Sequence, residues 1–508
     1  MLREVRTENG LVRGIEAADP RITAFKGIPF AAPPIGDNRW RAPQPAANWD
    51  GVKECYRFAS IPFQDQPAVG TDIYCREWHV DPDIAMSEDC LYLNVWTGAK
   101  SADEKRPVVV WFFGGGFQWG YPAEMEFDGE RVARRNVVVV TVGYRLNVFG
   151  FLAHPQLTKE QPDAPTNFGL LDQQAGVKWV KRNIAAFGGD PDNITIAGQS
   201  AGGGSVMAQV TNPANKGLFS KAIVQSGIIN NPYNNEGFNS DPLDSAEENG
   251  KRFFESIGVS TLEEARKIPS KELLDKYNAY VPGMMMFTDA DKPHRMFPVI
   301  DNKFVYGNAY DLYLEGKHLP VKLLAGNTAD EFPWGLPAKD EAEFIQKATE
   351  RFGTKTSDFL YALGDTHKNE QTGMFGSVNG IEVAVKKIAI ELEKRGGDPV
   401  YYYRFEPDIP GEDNPGTFHS CELWFFFETL AKCSRPYVGR HYDLARKMCD
   451  YWCNFIKTGD PNGIGTDGEK LPEWKPYTEE GRDGMSFRSE GPVAENKDPD
   501  LIKFLVEE

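Results

Sequence analysis

A serine lies between two glycines at Gly198, Ser200 and Gly202, in the pattern G-x-S-x-G. The apolar segment NITIAGQ precedes this serine, and the helix-compatible segment SVMAQV follows it. A serine in this setting occupies a tight strand-to-helix turn with strained dihedral angles, near the positive end of a helix, where developing negative charge is favoured. The pattern predicts a nucleophile at Ser200, and the alternative is a small residue in a flexible glycine-rich loop.

Three consecutive glycines, Gly114, Gly115 and Gly116, follow a second apolar run, VVVWFF. Because they lack side chains, their backbone N–H groups can turn towards a substrate oxygen, and the N–H of Ala201 would complete a three-donor site for an oxyanion. A flexible turn explains the triplet equally well when the triplet is considered alone. Its combination with the serine pattern favours the oxyanion site.

A serine nucleophile also requires a base and an acid, which in this arrangement follow the serine along the chain, with the acid first. His419 lies in the loop after the strand-like segment PVYYYRFE, where a catalytic base is expected, whereas His441 lies on a helical pattern and is predicted to be a packing residue. Asp330 and Glu331 follow the strand-like segment VKLLAGN. Either could accept the imidazole N–H, and their spacing does not choose between them.

Apolar, β-branched runs alternate with longer helical patterns, and several of these runs lead into the residues above. This alternation indicates an α/β fold with a mostly parallel sheet covered on both faces, in which ligands bind at the carboxyl ends of the strands. The first hundred residues contain many Pro–Gly turns and predict a small antiparallel portion. Residues 230–320 and 333–398 predict helical insertions over the active site.

The chain has 508 residues, 41% of them hydrophobic. This length corresponds to about three domains at roughly 150 residues each, but large α/β enzymes can run longer as one unit, and a single catalytic domain over residues 1–508 is predicted. The net charge of −18 argues against nucleic acid and anionic membrane surfaces as partners. The sequence contains no apolar stretch long enough to span a membrane, and the start MLREVRTENG lacks the apolar run of a signal peptide. A cytoplasmic location is therefore predicted, with a leader removed from a secreted protein as the alternative.

An odd number of cysteines, seven, leaves at least one unpaired within the chain. Cys75 and Cys90 are close enough in sequence to close a short loop. Cys449 and Cys453 are one helical turn apart, but the sequence offers them no Cys or His partners at metal-ligand spacing. We therefore predict that this pair packs within a helix, and no metal site is predicted.

Together these segments resemble the type-B carboxylesterase family of α/β-hydrolases, which also includes cholinesterases and fungal lipases. The resemblance covers most of the chain and is densest from residue 25 to 230. Its motifs are FKGIPFAAPP, SEDCLYLNVW, VVVWFFGGGF, GYRLNVFGFL, NFGLLDQQAGVKWVKRNIAAFGGDPDNITIAGQSAGG, GNTADEF and FHSCELWFFF. The resemblance implies the α/β-hydrolase fold and ester hydrolysis.

The resemblance also implies roles for individual residues. The family takes its acid from the glutamate of its D-E pair, here Glu331, and its oxyanion donors correspond to Gly115, Gly116 and Ala201. It further implies that Ser226, in VQSG, helps to hold the imidazole in place, with a strand-end turn residue as the alternative. Two structural ion pairs are implied as well: Arg39 with Glu88, and Arg145 with Asp172.

Three departures from the family pattern bear on function. Phe113 precedes the glycines where many relatives have His or Tyr. Gln199 precedes the serine where many relatives have Glu, and the loss of that negative charge disfavours cationic, choline-like substrates. Secreted relatives pair the cysteine at Cys90 with an upstream cysteine that ASIPFQDQ lacks, so Cys90 either stays reduced or pairs with Cys55 or Cys75.

The predicted activity is hydrolysis of small-molecule carboxylic esters by two-step acyl transfer, through a triad of Ser200, His419 and Glu331. Short-chain or aromatic esters are the expected substrates, and no metal or organic cofactor is required. One alternative is a lipase that acts on longer acyl chains at lipid interfaces. The other is a non-catalytic binding homologue, which the complete triad and glycine triplet disfavour.

Aromatic residues near the site loops predict an apolar or aromatic-ester pocket, with simple packing as the equal alternative for each. These residues are Trp119, Phe332, Trp334, Trp424 and Phe425. The Met-rich segment VPGMMMF, residues 281–287, predicts either an adaptable acyl pocket or plain core. Cys421, close to His419, is predicted to be a packing residue rather than a nucleophile.

Overall fold

The computed structural model describes residues 1–65, 73, 77, 84–234, 240–281, 293–364 and 373–508. Strands and helices alternate through most of these residues. The strands are β1 (Glu4–Thr7), β2 (Gly10–Arg13), β3 (Ile15–Glu16), β4 (Thr23–Pro29), β5 (Val52–Glu54), β6 (Tyr92–Thr97), β7 (Arg106–Phe112), β8 (Val138–Val142), β9 (Gly189–Gln199), β10 (Lys221–Gln225), β11 (Asp241–Pro242), β12 (Val299–Ile300), β13 (Lys322–Thr328), β14 (Pro333–Pro337), β15 (Met374–Asn379), β16 (Val400–Phe405), β17 (Gly484–Arg488) and β18 (Gly491–Glu495). The α-helices are α1 (Glu130–Ala133), α2 (Asn147–Phe151), α3 (Pro155–Glu160), α4 (Phe168–Asn183), α5 (Ala201–Val210), α6 (Leu243–Ser256), α7 (Leu262–Arg266), α8 (Ser270–Tyr280), α9 (Ala309–Leu314), α10 (Glu341–Phe352), α11 (Thr356–Leu363), α12 (Gly380–Lys394), α13 (Leu423–Phe426), α14 (Gly439–Thr458) and α15 (Asp500–Glu507).

An 11-stranded sheet runs in the order β18-β17-β16-β13-β10-β9-β7-β8-β6-β4-β3. Its centre, from β17 to β8, is parallel, whereas β6, β4 and β3 at one edge and β18 at the other pair antiparallel. The predicted mostly parallel sheet with an N-terminal antiparallel portion is therefore confirmed. The antiparallel strand β18 and a separate 3-stranded sheet of β1, β2 and β5 are additional features.

The central strands bury both of their faces. In β7, Val109 and Trp111 belong to one hydrophobic core, whereas Val108, Val110 and Phe112 belong to the other. Successive side chains of a strand point to opposite faces of a sheet, so a strand covered on both faces needs an apolar residue at every position. This requirement explains the near-continuous apolar runs in the sequence.

The two predicted insertions differ in character. Residues 230–320 contain α6, α7, α8 and α9, as predicted, together with the short pair of β11 and β12. The prediction of a helical insertion over residues 333–398 is wrong in part, because β14 and β15 form an antiparallel pair and α12 packs on β13 and β16 of the main sheet. The prolines of β14 removed its strand signal, and helical periodicity does not say where a helix docks.

Both implied ion pairs are confirmed and are buried. Arg145 Nη2 lies 2.7 Å from Asp172 Oδ1, and its Nε donates to Oδ2 at 2.8 Å. Arg39 Nε donates to Glu88 Oε2 at 2.8 Å, and its Nη1 donates to two carbonyl oxygens in and just after α7. The second pair therefore ties the N-terminal region to the first insertion.

The structure describes six of the seven cysteines. Cys55 and Cys90 are buried free thiols. Cys449 and Cys453 pack in the core along α14, as predicted for this pair. Within the described ranges, the structure has no cluster of metal-ligating side chains and no helix long and apolar enough to cross a membrane. Cys75 and all but the first residue of the Met-rich segment lie outside the described residues.

We predict that Asp172→Asn lowers the stability of the fold by about 3–5 kcal/mol, because it leaves the guanidinium of Arg145 buried without its counter-charge. Thermal unfolding measures the effect as a fall in the midpoint. The matched control is Asp192→Asn, which breaks the exposed ion pair with Lys181 and should leave the midpoint unchanged. Equal shifts for the two variants would contradict the role given to burial.

Candidate active site

Ser200 lies at a packed turn between β9 and α5, with φ 56° and ψ −124°. Its N–H donates to the Gln225 carbonyl at 2.8 Å, which fixes the turn on the neighbouring strand. A Cβ on Gly202 would lie 2.1 Å from the Phe112 oxygen, and one on Gly198 would lie 2.3 Å from the Gly202 oxygen. Only glycine fits at these two positions, so the turn is a tight elbow and the alternative of a flexible loop is wrong.

The glycine triplet lies beside this serine. A Cβ on Gly114 would come within 3.2 Å of the Ser200 Cβ, and Gly115 and Gly116 both have positive φ, 102° and 60°. In the part of the chain that the structure describes, the N–H groups of Gly115 and Gly116 have no protein acceptor. Ala201 is the first residue of α5, where helical N–H groups also lack intrahelical partners. These donors can receive an anionic oxygen.

The loops after β13 and β16 bring His419 and Glu331 together. His419 Nδ1 lies 2.6 Å from Glu331 Oε2, and Thr328 Oγ1 donates to the other carboxylate oxygen at 2.9 Å. Asp330 points elsewhere, because its Oδ2 accepts from the Thr417 N–H at 2.6 Å and so ties the two loops together. The imidazole partner among the two candidate acids is therefore Glu331.

The other imidazole nitrogen faces Gln199. Nε2 of His419 lies 3.3 Å from Nε2 of the Gln199 amide, and both side chains are buried. With the Nδ1 proton donated to Glu331, the lone pair of Nε2 accepts from that amide. Between the described residues, no hydrogen bond joins Ser200 Oγ to His419. The amide thus occupies the lone pair that a base would use.

Charges around the imidazole set its proton affinity. Burial lowers the pKa of His419, but the charge and hydrogen bond of Glu331 outweigh burial, with help from Glu422, and the pKa lies above its ordinary value. Burial raises the pKa of Glu331, but His419 above all lowers it, and the net pKa is below the ordinary value. The pair therefore favours a carboxylate beside an imidazole that accepts a proton readily.

Glu422 is a buried acid that sequence reasoning missed. It is fully buried, its Oε1 accepts from Gln225 Nε2 at 3.4 Å, and its Oε2 has no partner among the described groups. Burial and then the charge of Glu331 raise the pKa of Glu422 to about 7. A lone acid in the apolar run CELWFFF, just after His419, is the signal that could have revealed it.

Ser226 lies at the exit of β10, where the resemblance implies a supporting residue. It is fully buried with φ 48°, and its N–H donates to the Gly326 carbonyl at 2.8 Å. Its hydroxyl has no well-aligned hydrogen bond in the described structure, yet it lies close enough to Glu331 to contribute to the lowered pKa of that acid. Ser226 is therefore adjacent to the acid rather than to the imidazole nitrogen that faces Gln199.

Two of the predicted pocket residues border the reactive groups. Phe332 is 42% exposed, and its ring centroid lies 5.0 Å from that of His419. Trp119 is half-buried, and its backbone N–H donates to the Gly115 carbonyl at 3.0 Å. Phe332 therefore lies beside the imidazole, and Trp119 lies in the loop that follows the glycine triplet.

The other predicted pocket residues lie differently. Trp334 is half-buried and packs over Gly380 at the start of α12. Trp424 and Phe425 are buried in the hydrophobic core at 1% and 0% exposure, and Cys421 is buried beside them, as predicted for the thiol. The rings of Trp424 and Phe425 pack in this core, in line with the packing alternative, and their role in a pocket stays a prediction.

A surface cavity of about 560 Å³ lies apart from these residues. It opens beside β4 and β5 and is lined by groups that include Lys26, Lys53, Arg57 and Phe58. None of its lining residues belongs to the serine, glycine or histidine loops. The candidate site is therefore defined by the side chains that converge at the carboxyl ends of β9, β13 and β16.

Comparison with known proteins identifies the family of the chain. A family model described as the carboxylesterase family matches residues 2–503. Fumonisin B1 esterase of Sphingopyxis macrogoltabida is 33% identical over 475 residues, 90% of this chain and 82% of that protein. The cocaine esterase of Homo sapiens is 31% identical over 513 residues, 93% of this chain and 86% of that protein. The solved Geobacillus stearothermophilus carboxylesterase EST55 has a TM-score of 0.75 at 30% identity over 99% of both chains.

We predict opposite changes in the pKa of His419 for two substitutions. Glu422→Gln removes a negative charge near the imidazolium and should lower this pKa, whereas Gln199→Glu adds one beside Nε2 and should raise it. Proton NMR of the Nδ1–H that is shared with Glu331 follows the titration. Shifts of the same sign, or none, would contradict this account of the site's electrostatics.

Proposed function

The chain belongs to the carboxylesterase family and is a serine carboxylic ester hydrolase with the α/β-hydrolase fold, and from that premise we propose that Ser200, His419 and Glu331 form its catalytic triad. The observation that carries this proposal is the 2.6 Å contact between His419 Nδ1 and Glu331 Oε2, at the same sheet edge as the strained Ser200 turn. The similar proteins are esterases, which disfavours the non-catalytic alternative.

In the proposed reaction, Ser200 Oγ attacks the ester carbonyl carbon while His419 Nε2 takes its proton. The N–H groups of Gly115, Gly116 and Ala201 donate to the oxyanion that forms. His419 then gives its proton to the departing alcohol. Water, deprotonated by the same nitrogen, attacks the acyl-enzyme, and the acid leaves as Ser200 recovers its proton.

The proposed mechanism requires a small rearrangement before attack. His419 Nε2 lies against the Gln199 amide and must exchange this contact for one with the Ser200 hydroxyl. Catalytic hydrogen bonds commonly tighten only when substrate binds, so this exchange is compatible with the role of His419 as the base. Glu331 holds Nδ1 during the exchange and stabilises the imidazolium.

The most suitable substrates are short-chain or aromatic esters of small molecules. The support for this is Phe332, an exposed ring 5.0 Å from the imidazole, which can pack against a flat or short apolar group. The lipase alternative drew on the Met-rich segment, of which only Val281 lies within the described residues. A series of acyl lengths distinguishes these two preferences directly.

We predict that Ser200→Ala reduces kcat/KM on p-nitrophenyl esters by at least about a thousandfold, because the nucleophile is lost while the oxyanion donors remain. The assay uses a series from acetate to laurate, at matched protein concentration. Ser205→Ala, in helix α5 just after the turn, is the matched control and should keep its activity. An active Ser200→Ala variant would refute the assignment, and a maximum at laurate would favour the lipase.

We predict that two adjacent carboxylates behave differently. Glu331→Gln should lower kcat by roughly 10⁴-fold, because the amide no longer holds the imidazole in its reactive tautomer. Asp330→Asn should keep most of the activity, because Asp330 accepts from the Thr417 N–H and not from His419. Steady-state kinetics on p-nitrophenyl butyrate compares the two variants. A larger loss for Asp330→Asn would contradict the proposed triad.

A further inference from the structure

The surface cavity beside β4 and β5 has the size of a small-molecule site. Its volume of about 560 Å³ lies within the range of roughly 300–1,000 Å³ that ligand pockets commonly have. Strand β4 supplies Lys26 and Gly27 to its wall, β5 supplies Lys53 and Glu54, and the segment after β5 supplies residues 56–60. The cavity is therefore a second candidate binding site, and its side chains indicate the kind of ligand that it fits.

Three cations line this cavity in a chain whose net charge is −18. Within the described residues, the side chains of Lys26, Lys53 and Arg57 form no ion pair and no hydrogen bond. On the neighbouring strand β2, by contrast, Arg13 forms an ion pair with Glu4 at 2.8 Å. The positive charges that line the cavity are therefore available to an anion from solution.

Aromatic rings hold the two lysines in place and offer a flat apolar surface beside them. Lys26 Nζ lies 4.6 Å from the ring centroid of Phe58, and Lys53 Nζ lies 5.4 Å from that of Trp49. Phe58 lines the cavity and is 40% exposed, and Tyr56 also lines it. An ammonium group stacked on a ring keeps its charge close to the ring, so a ligand that packs on Phe58 meets a cation at the same time.

Two acids also line the cavity and limit the charge that it can attract. Asp89 Oδ2 accepts from Tyr92 Oη at 3.1 Å. Burial, and then the charge of Asp89, raise the pKa of Tyr92 to about 12, so this hydroxyl keeps its proton and continues to donate. Glu54 is exposed and forms no ion pair among the described groups. Three lining cations and two lining acids leave a surplus of one positive charge, which suits a monoanion.

We propose that this cavity is a binding site for small aromatic carboxylates. The ring of the ligand packs on Phe58, and its carboxylate binds the ammonium groups of Lys26 and Lys53. Arg57 adds a planar guanidinium, whose forked donors match the two oxygens of a carboxylate. The site is independent of the proposed function, because the cavity shares no residue with the proposed triad or with the oxyanion donors.

Isothermal titration calorimetry with cinnamate and cinnamamide tests the proposal, because the two compounds share a ring and differ in charge. The wild type should bind cinnamate at least about tenfold more tightly than the amide. Lys26→Gln and Lys53→Gln should each weaken cinnamate binding by about tenfold. Glu54→Gln removes an opposing charge and should strengthen binding, a gain that a misfolded variant cannot produce. Added salt should weaken binding in the wild type, since ions screen exposed charges.

The matched control is Lys216→Gln, which removes the charge of an exposed lysine that does not line the cavity. It should leave the affinity for cinnamate unchanged, and the midpoints of thermal unfolding show whether each variant is folded. A wild type that binds no cinnamate, or that binds the amide equally well, would overturn the proposal. Binding that both lysine variants and Glu54→Gln leave unchanged would also overturn it, because the ligand would then occupy another place, such as the active site.

Discussion

The whole site depends on the backbone of one residue, Ser200, held at φ 56° and ψ −124°. An L-residue pays a conformational penalty for these angles, so the surrounding packing must enforce them. The start of α5 packs against the end of β7 with backbone touching backbone, because a Cβ on Gly202 would lie only 2.1 Å from the Phe112 oxygen. This close packing holds the turn in place. The same contact places the strand that leads to the glycine triplet directly beside the serine.

The order of the sheet then assembles the remaining groups. Ser200, Ser226, Glu331 and His419 follow β9, β10, β13 and β16, which are consecutive neighbours in the parallel part of the sheet. Parallel strands end at one edge, so residues that are distant in sequence converge there, and a long loop after β16 carries His419 to the same place. Among the described groups, these buried polar side chains satisfy one another only in part. Glu422 Oε2 has no hydrogen-bond partner there, and the Gln199 amide contacts His419 Nε2, so the site differs from a purely structural core.

Much of this arrangement could be predicted from the sequence because the constraints act locally. The elbow requires glycines around Ser200, and strands buried on both faces require apolar runs such as VVVWFF. Spacing did not choose between Asp330 and Glu331, and only the family resemblance favoured Glu331, because neighbouring loop residues have different partners. The burial of Trp424 and the contact of Gln199 with His419 depend on helix docking and on rotamers, which spacing does not determine.

The most direct test of the account is to identify the residue that becomes acylated. The protein is mixed rapidly with p-nitrophenyl acetate, quenched in acid and analysed by peptide mass spectrometry. The account predicts one acetyl group on the peptide that contains Ser200, and greater accumulation in His419→Ala if acylation still proceeds there. Acetylation of a different residue, with Ser200 unmodified during turnover, would contradict it.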